Sequence, residues 1–174
     1  CLGIATQIEP SNLLAKFNLG LCLESAGDFQ RAISELLDVV ALAESISDQY
    51  ILSEAHFVLG KCFSSIGEKT AAFRSYRSAI EIRPGFVNAI NNLGVLFLED
   101  SRYEKALHQF ELGLKHEEDN VELNHNLATA FYGLKDFKNA VTFYKAALEK
   151  DPRYFPSLLN LANSLVQLGS INKS

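Results

Sequence analysis

The 174-residue chain has no methionine and no tryptophan, and only three cysteines. The missing methionine extends to position 1, where Cys1 stands, so the chain is expected to be a window on a longer polypeptide. Cys1, Cys22 and Cys62 are an odd number without CxxC spacing. That suits reduced thiols better than a disulfide framework. No apolar run approaches the ~18 residues that a membrane-spanning helix requires, and no signal-peptide pattern opens the chain. A cytoplasmic protein is therefore expected. Positive charge is also scarce: sixteen Lys and Arg against twenty-one Asp and Glu leave a net charge of −5. Non-specific binding to nucleic acid or anionic membrane needs the opposite field, so neither is expected as a partner. With 48% hydrophobic and 21% charged residues, the composition is that of an ordinary folded protein, and disorder is excluded.

Signatures of chemistry are missing too. There is no GxSxG elbow, no GxxxxGK[ST] loop and no GxGxxG turn. His56, His108, His116 and His125 form no HxxxH or HExxH pattern, and His116 to Asp119 is a contiguous polar stretch rather than a converging ligand set. Arg77 and Glu81, four apart, read as a surface pair. No catalytic residue, cofactor site or metal site is expected, and the chain is not expected to be an enzyme in itself.

What is present is a period. Leu-Gly or Leu-Ala pairs occur at Leu19, Leu59, Leu93, Leu127 and Leu161, spaced by 40, 34, 34 and 34 residues. Ala32, Ala72, Ala106 and Ala140 repeat the 40, 34, 34 spacing, and Pro10, Pro84 and Pro152 keep the same phase. A period of this size marks stacked repeats. Within one period, Ile90, Leu93, Gly94 and Phe97 fall at helical spacing, Ser101-Arg102 interrupts, and Tyr103, Ala106, Leu107, Phe110 and Leu114 resume it. Each unit is thus a helix, a tight turn and a second antiparallel helix. Gly27, Gly67 and Gly169 are expected at such turns, where a left-handed cap favours glycine. Gly20, Gly60, Gly94 and Ala128 are expected to let paired helices approach closely. Six extra residues lie between Ala43 and Leu52. They either lengthen two helices around a Ser47-Asp48 turn and cap or form a longer loop.

This pattern resembles the tetratricopeptide repeat. The second unit meets it with Leu59, Gly60, Phe63, Gly67, Ala72, Tyr76, Ala79 and Pro84, and the fourth with Leu127, Phe131, Phe137, Ala140, Tyr144, Ala147 and Pro152. Departures are Lys69 for an aromatic, Lys135 for the turn glycine, Glu44 and Glu118 for proline, and Gly113 for alanine. The resemblance implies an all-α fold, a right-handed superhelical solenoid of antiparallel helix pairs. It divides the chain into the end of a preceding repeat (1–12), an extended repeat (13–52), three regular repeats (53–86, 87–120 and 121–154) and the first helix of a fifth (155–174). Cys22 and Cys62 hold equivalent positions and are expected as buried packing thiols.

In the resembled family, the first-helix side opposite its paired helix lines a concave groove for partner segments. On a helical wheel that side gives Leu14, Phe17, Asn18, Leu21, Phe57, Lys61, Asn88, Asn91, Asn92, Val95, His125, Asn126, Thr129, Tyr132, Leu159, Asn160 and Asn163. Two features stand out. Leu14, Phe17, Leu21, Phe57 and Val58 suggest an exposed apolar patch. Asn18, Asn92, Asn126 and Asn160 suggest an amide ladder, able to pair with an extended chain of any sequence, or else simply local hydrogen bonding. One lysine, Lys61, against Glu24, Glu54, Glu99 and Glu122 gives the face a net charge of −3, which mildly favours a basic segment.

The expected function is a scaffold or adaptor that binds an apolar, mildly basic protein or peptide segment. The asparagine series also resembles the repeat arm of O-linked N-acetylglucosamine transferases, which implies as the alternative a substrate-recruiting arm of a larger protein O-glycosyltransferase. Leu158, Leu161, Leu165 and Leu168 form an apolar stripe on the last helix, so self-association or fraying there is expected.

Overall fold

The computed structural model describes residues 12–171. The expected end of a preceding repeat, at 1–12, and Cys1 with it, lie outside the described residues apart from Asn12. Among the described residues the regular structure is entirely helical: α1 (Leu13–Ser25), α2 (Phe29–Ile46), α3 (Gln49–Ser65), α4 (Lys69–Ile82), α5 (Val87–Glu99), α6 (Tyr103–Leu114), α7 (Val121–Gly133), α8 (Phe137–Lys150) and α9 (Phe155–Ile171). The fold is an all-α helical repeat. It divides into two compact units, one ending at Ala89 and one beginning at Ile90.

The turn within a helix pair is built the same way each time. After α1, Gly27 takes φ 77°, its N–H reaches Glu24 O, and Asp28 N–H reaches Leu23 O at 2.9 Å. These two bonds satisfy carbonyls that the helix end leaves open. Gly67 repeats the arrangement after α3. Ser101 and Lys135 adopt it after α5 and α7 at φ 56° and 62°, so a residue with a side chain tolerates the left-handed turn when both bonds hold it. The next residue starts the following helix, and Asp28 and Asp136 cap it by accepting from Arg31 and Asn139 N–H.

The six extra residues of the first spacing are helical. α2 runs for 18 residues and α3 for 17, and between them Ser47 turns left-handed at φ 58° while Asp48 accepts from Ile51 N–H at 3.0 Å. Gly169 corrects an expectation. It lies inside α9 without a positive φ, so the last helix runs past the position where a turn was expected.

In the first unit α1 packs on α2, α2 on α3, and α3 on α4. The core gathers Leu19, Leu23, Leu36, Val39, Leu59 and Cys62. A Cβ at Gly20 would stand 2.8 Å from Leu36, and one at Gly60 would stand 2.5 Å from the Tyr76 ring. In the second unit Gly94 meets Phe110 in the same way. The pair of Ala128 and Tyr144 is the fourth of the series, clustered with Ala140. A bulky residue sixteen positions after each small one therefore seats on the first helix of its pair. This contact aligns the first-helix side that faces away from it, where the candidate surface lies.

Candidate protein-interaction surface

In the first unit the apolar patch expected from the wheel does not form. Phe17 and Val58 are buried in the core, and Leu21 and Phe57 pack half-buried against it. Phe57 also lies 4.9 Å from the Phe86 ring and 6.1 Å from the Tyr76 ring. The physical reason is lateral packing: α1 lies against α3 as well as α2, so the side turned from one helix is covered by another. Leu14 and Asn18 remain exposed on α1, and Asn88 is exposed at the start of α5.

Charge in this unit is paired. Lys61 Nζ stands 2.8 Å from Glu24 Oε1, and Arg83 Nη2 donates to Glu54 Oε1 at 2.7 Å. The Arg83 guanidinium lies over two aromatic rings, 3.5 Å from the Phe86 centroid and 5.5 Å from that of Tyr50. The acidic bias expected for this stretch is therefore cancelled by Lys61 and by Arg83, which the wheel did not include. Arg83 sits in the loop after α4, outside any first-helix register, and its only sequence signal is an arginine flanked by Pro84 and Phe86.

The second unit differs. Asn126 Nδ2–H donates to Asn91 Oδ1 at 2.9 Å, and Asn91 Nδ2–H donates to Glu122 Oε1 at 3.0 Å. Asn91 is itself buried, so it joins two neighbours and does not offer its amide to a partner. Thr129 Oγ1–H donates to His125 O at 3.0 Å, and Thr129 and the Tyr144 hydroxyl share a second hydrogen bond at 3.0 Å in which either oxygen can donate. Asn160 also hydrogen-bonds Tyr144, whose hydroxyl burial holds above the ordinary phenol range. Asn92 and Val95 are half-buried on α5, and Tyr132 sets its ring edge-on to Phe137 at 5.2 Å. Leu159 and Asn163 are exposed on α9.

His125 was expected in the groove and is instead buried, with Nδ1 2.9 Å from Ser157 Oγ and its ring 5.4 Å and 5.3 Å from Tyr144 and Tyr154. Burial lowers its pKa below the ordinary 6.5. The unfolded chain then takes up a proton first as pH falls, so stability drops below about pH 6.5 and continues to drop toward the folded value. His56 is shifted in the same direction by burial, opposed by Glu44. Urea midpoints at pH 7 and pH 5 should therefore fall with acid, and His125→Gln should flatten that fall in part; an unchanged slope would exclude His125 as a source.

The two cysteines of the described residues do not share one environment. Cys62 is fully buried, and burial pushes its thiol up to about 11, whereas Cys22 is exposed. The expectation that both are buried is corrected for Cys22. No group of three or more His, Cys, Asp or Glu side chains among the described residues is arranged to hold a metal ion. No helix there is long and apolar enough to cross a membrane.

Helix hairpins joined by recurrent caps, each seating a large residue on a small one, define a helical-repeat protein. Models of the tetratricopeptide repeat match residues 12–85 and 91–155, and the chain belongs to that family. It is similar to anaphase-promoting complex subunit 3 of Dictyostelium discoideum, with 32% identity over 50% of this chain and 8% of that protein. The BBSome complex member BBS4 of Bos taurus is 27% identical over 86% of this chain and 28% of its own length. The human protein O-mannosyl-transferase TMTC3 is 31% identical over 55% and 11%. The chain thus spans less than a third of the length of these relatives. Among solved structures, the MamA protein superposes with a TM-score of 0.73 at 25% identity, covering 85% of this chain and 78% of that one. The first tetratricopeptide domain of Spaghetti (RPAP3), bound to the HSP90 peptide SRMEEVD, gives 0.66 at 15% identity, over 67% and 93%.

Proposed function

We propose that the chain is a protein-interaction module, and that the α5–α7 face of the second unit binds an extended segment rich in hydrogen-bond donors. The observation that carries this reading is the direction of the amide relay. Both bonded N–H groups point along it toward Glu122, so it ends on the exposed Glu122 carboxylate at one side and, at the other, on the Asn126 amide with its carbonyl oxygen and second N–H. The Glu122 carboxylate favours backbone N–H groups and Lys or Arg side chains, and the Asn126 carbonyl oxygen accepts from the same groups. The carboxylate-ended relay does not suit an acidic peptide such as the one on the RPAP3 domain.

A peptide array of basic, neutral and acidic extended segments tests the reading. The wild-type chain should retain basic segments, and Asn126→Ala with Glu122→Gln should weaken that retention about tenfold, the worth of roughly 1.4 kcal/mol. An unchanged array, or preference for acidic segments, would refute it. A second reading, that the chain is the substrate-recruiting arm of a larger protein O-glycosyltransferase, is favoured by its likeness to the protein O-mannosyl-transferase TMTC3. Catalysis would then lie outside this chain, and the same face would hold the acceptor polypeptide.

A further inference from the structure

Two clusters of the chain share one plan, two periods of 34 residues apart. In the first unit the Phe57 ring lies 6.1 Å from Tyr76 and 4.9 Å from Phe86; in the second the His125 ring lies 5.4 Å from Tyr144 and 5.3 Å from Tyr154. Each member of the second set follows its counterpart by 68 positions, and Glu122 follows Glu54 by the same interval. The backbone agrees. Arg83, after α4, has φ −131° and ψ 89°, and Asp151, after α8, has φ −132° and ψ 95°. Each donates its N–H to an alanine carbonyl, Ala79 or Ala147, and accepts from the N–H of its aromatic residue, Phe86 or Tyr154.

The side chain on that shared backbone is what differs. Arg83 lies 3.5 Å from the Phe86 centroid and donates to Glu54 Oε1 at 2.7 Å. In the second unit the carboxylate and the ring are both kept, as Glu122 and Tyr154, while an aspartate replaces the arginine. Among the described residues neither Glu122 nor Asp151 forms an ion pair. Asn91 holds Glu122 Oε1 at 3.0 Å, and the second oxygen remains for another donor. Burial, and then the negative charges of Glu122 and Asp151, raise the Tyr154 hydroxyl above the ordinary phenol range, so both carboxylates are within electrostatic reach of that residue. Tyr50, which flanks Arg83, lies on the extra turn of α3; α7 begins at Val121, the counterpart of Ser53, so no helical residue takes its place. A carboxylate beside an aromatic residue is not a constant of the repeat, since the intervening unit carries Asn88 and Asn120 at these positions.

We propose that Glu122 and Tyr154 receive the guanidinium of an arginine in the bound segment, as Glu54 and Phe86 receive Arg83. The inference rests on the reading of this face as a peptide-binding surface and adds which side chain it selects. A guanidinium is planar, so it can lie on a ring and donate to a carboxylate at its edge; an ammonium is a compact, strongly hydrated charge. Asp151 contributes a further negative charge in place of a competing cation.

NMR titration of the full 174-residue chain with two extended Gly-Ser peptides, one carrying three arginines and one three lysines, tests it. The arginine peptide should bind at least about fivefold more tightly and shift the Tyr154 ring resonances. Asp151→Arg should fill the site from within, as Arg83 does in the first unit, and weaken the arginine peptide about tenfold. Asp151→Lys, the same change of charge without a planar group, should weaken it only about threefold. Equal effects of these two variants overturn the proposal. Equal affinity for the two peptides that Glu122→Gln still weakens overturns it while leaving the peptide-binding face intact, and binding of neither peptide overturns both.

Discussion

Phe110→Ala should lower the unfolding free energy by about 3–5 kcal/mol, the usual range for a large aromatic removed from a packed interior. Phe110 is fully buried, and its ring lies on the backbone of α5 at Gly94. The ring's neighbour on that side is main chain, which cannot swing in to fill the space as a side chain could. A residual cavity therefore persists, and its volume adds to the lost transfer energy. In a repeat fold each unit leans on its neighbours, so the loss should also appear locally, as faster amide exchange in α5 and α6. Urea denaturation gives the total and hydrogen exchange the location. A loss below about 1 kcal/mol would mean that α5 and α6 close over the gap, contrary to the fixed backbone contact.

The period carried most of the fold. Leu-Gly pairs and the alanine series mark where paired helices touch, and the touching residues, Gly20 with Leu36, Gly60 with Tyr76 and Gly94 with Phe110, are those in phase. Contacts inside one pair are legible because a single helical wheel describes them. Lateral contacts are not. His125 reaches Ser157, Asn91 reaches Glu122 and Asn126, and Phe17 joins the core beside α3; each depends on a helix one unit away. A wheel that divides a helix into a side facing its partner and a side facing solvent omits that third neighbour. It places Phe17, Asn91 and His125 in the open for the same reason.

The amide series shows what the omission costs a functional reading. Taken as independent groups, Asn92, Asn126 and Asn160 form a ladder with free donors and acceptors. In the structure Asn126 and Asn160 are already bonded, Asn126 to Asn91 and Asn160 to Tyr144. The surface that remains has direction: one N–H each of Asn126 and Asn91 is engaged inward along the relay, which ends on the exposed Glu122 carboxylate. Directionality is a stronger constraint on a partner than the net charge of the face, because a charge count treats Glu24 and Glu122 alike although Lys61 neutralises only Glu24.

The second large effect concerns the small residues. In an open helix position, replacing glycine by alanine gains about 0.5–1 kcal/mol, since glycine loses more backbone freedom on folding. At Gly94 the sign should reverse. A Cβ there collides with the Phe110 ring, and its relief requires the ring or the whole of α6 to move. Overpacking of this kind costs roughly 1–3 kcal/mol, so Gly94→Ala should be destabilising despite its better helix propensity, and Gly94→Val should reach the upper end of that range. Gly60 faces Tyr76 in the same way and should follow the same order. Ala128 against Tyr144 shows that the contact can host one methyl when its surroundings are built for it: the Tyr144 hydroxyl is fixed by Thr129 at 3.0 Å and its ring packs beside His125. Phe110 has no hydroxyl to be fixed in this way. Alanine at 94 should consequently cost more than alanine at 60, where Tyr76 is chemically the closer counterpart of Tyr144. Thermal midpoints of the four variants decide it. Stabilisation by Gly94→Ala would show that α5 and α6 are loosely paired, and would remove the close approach as the reason for glycine in the repeat.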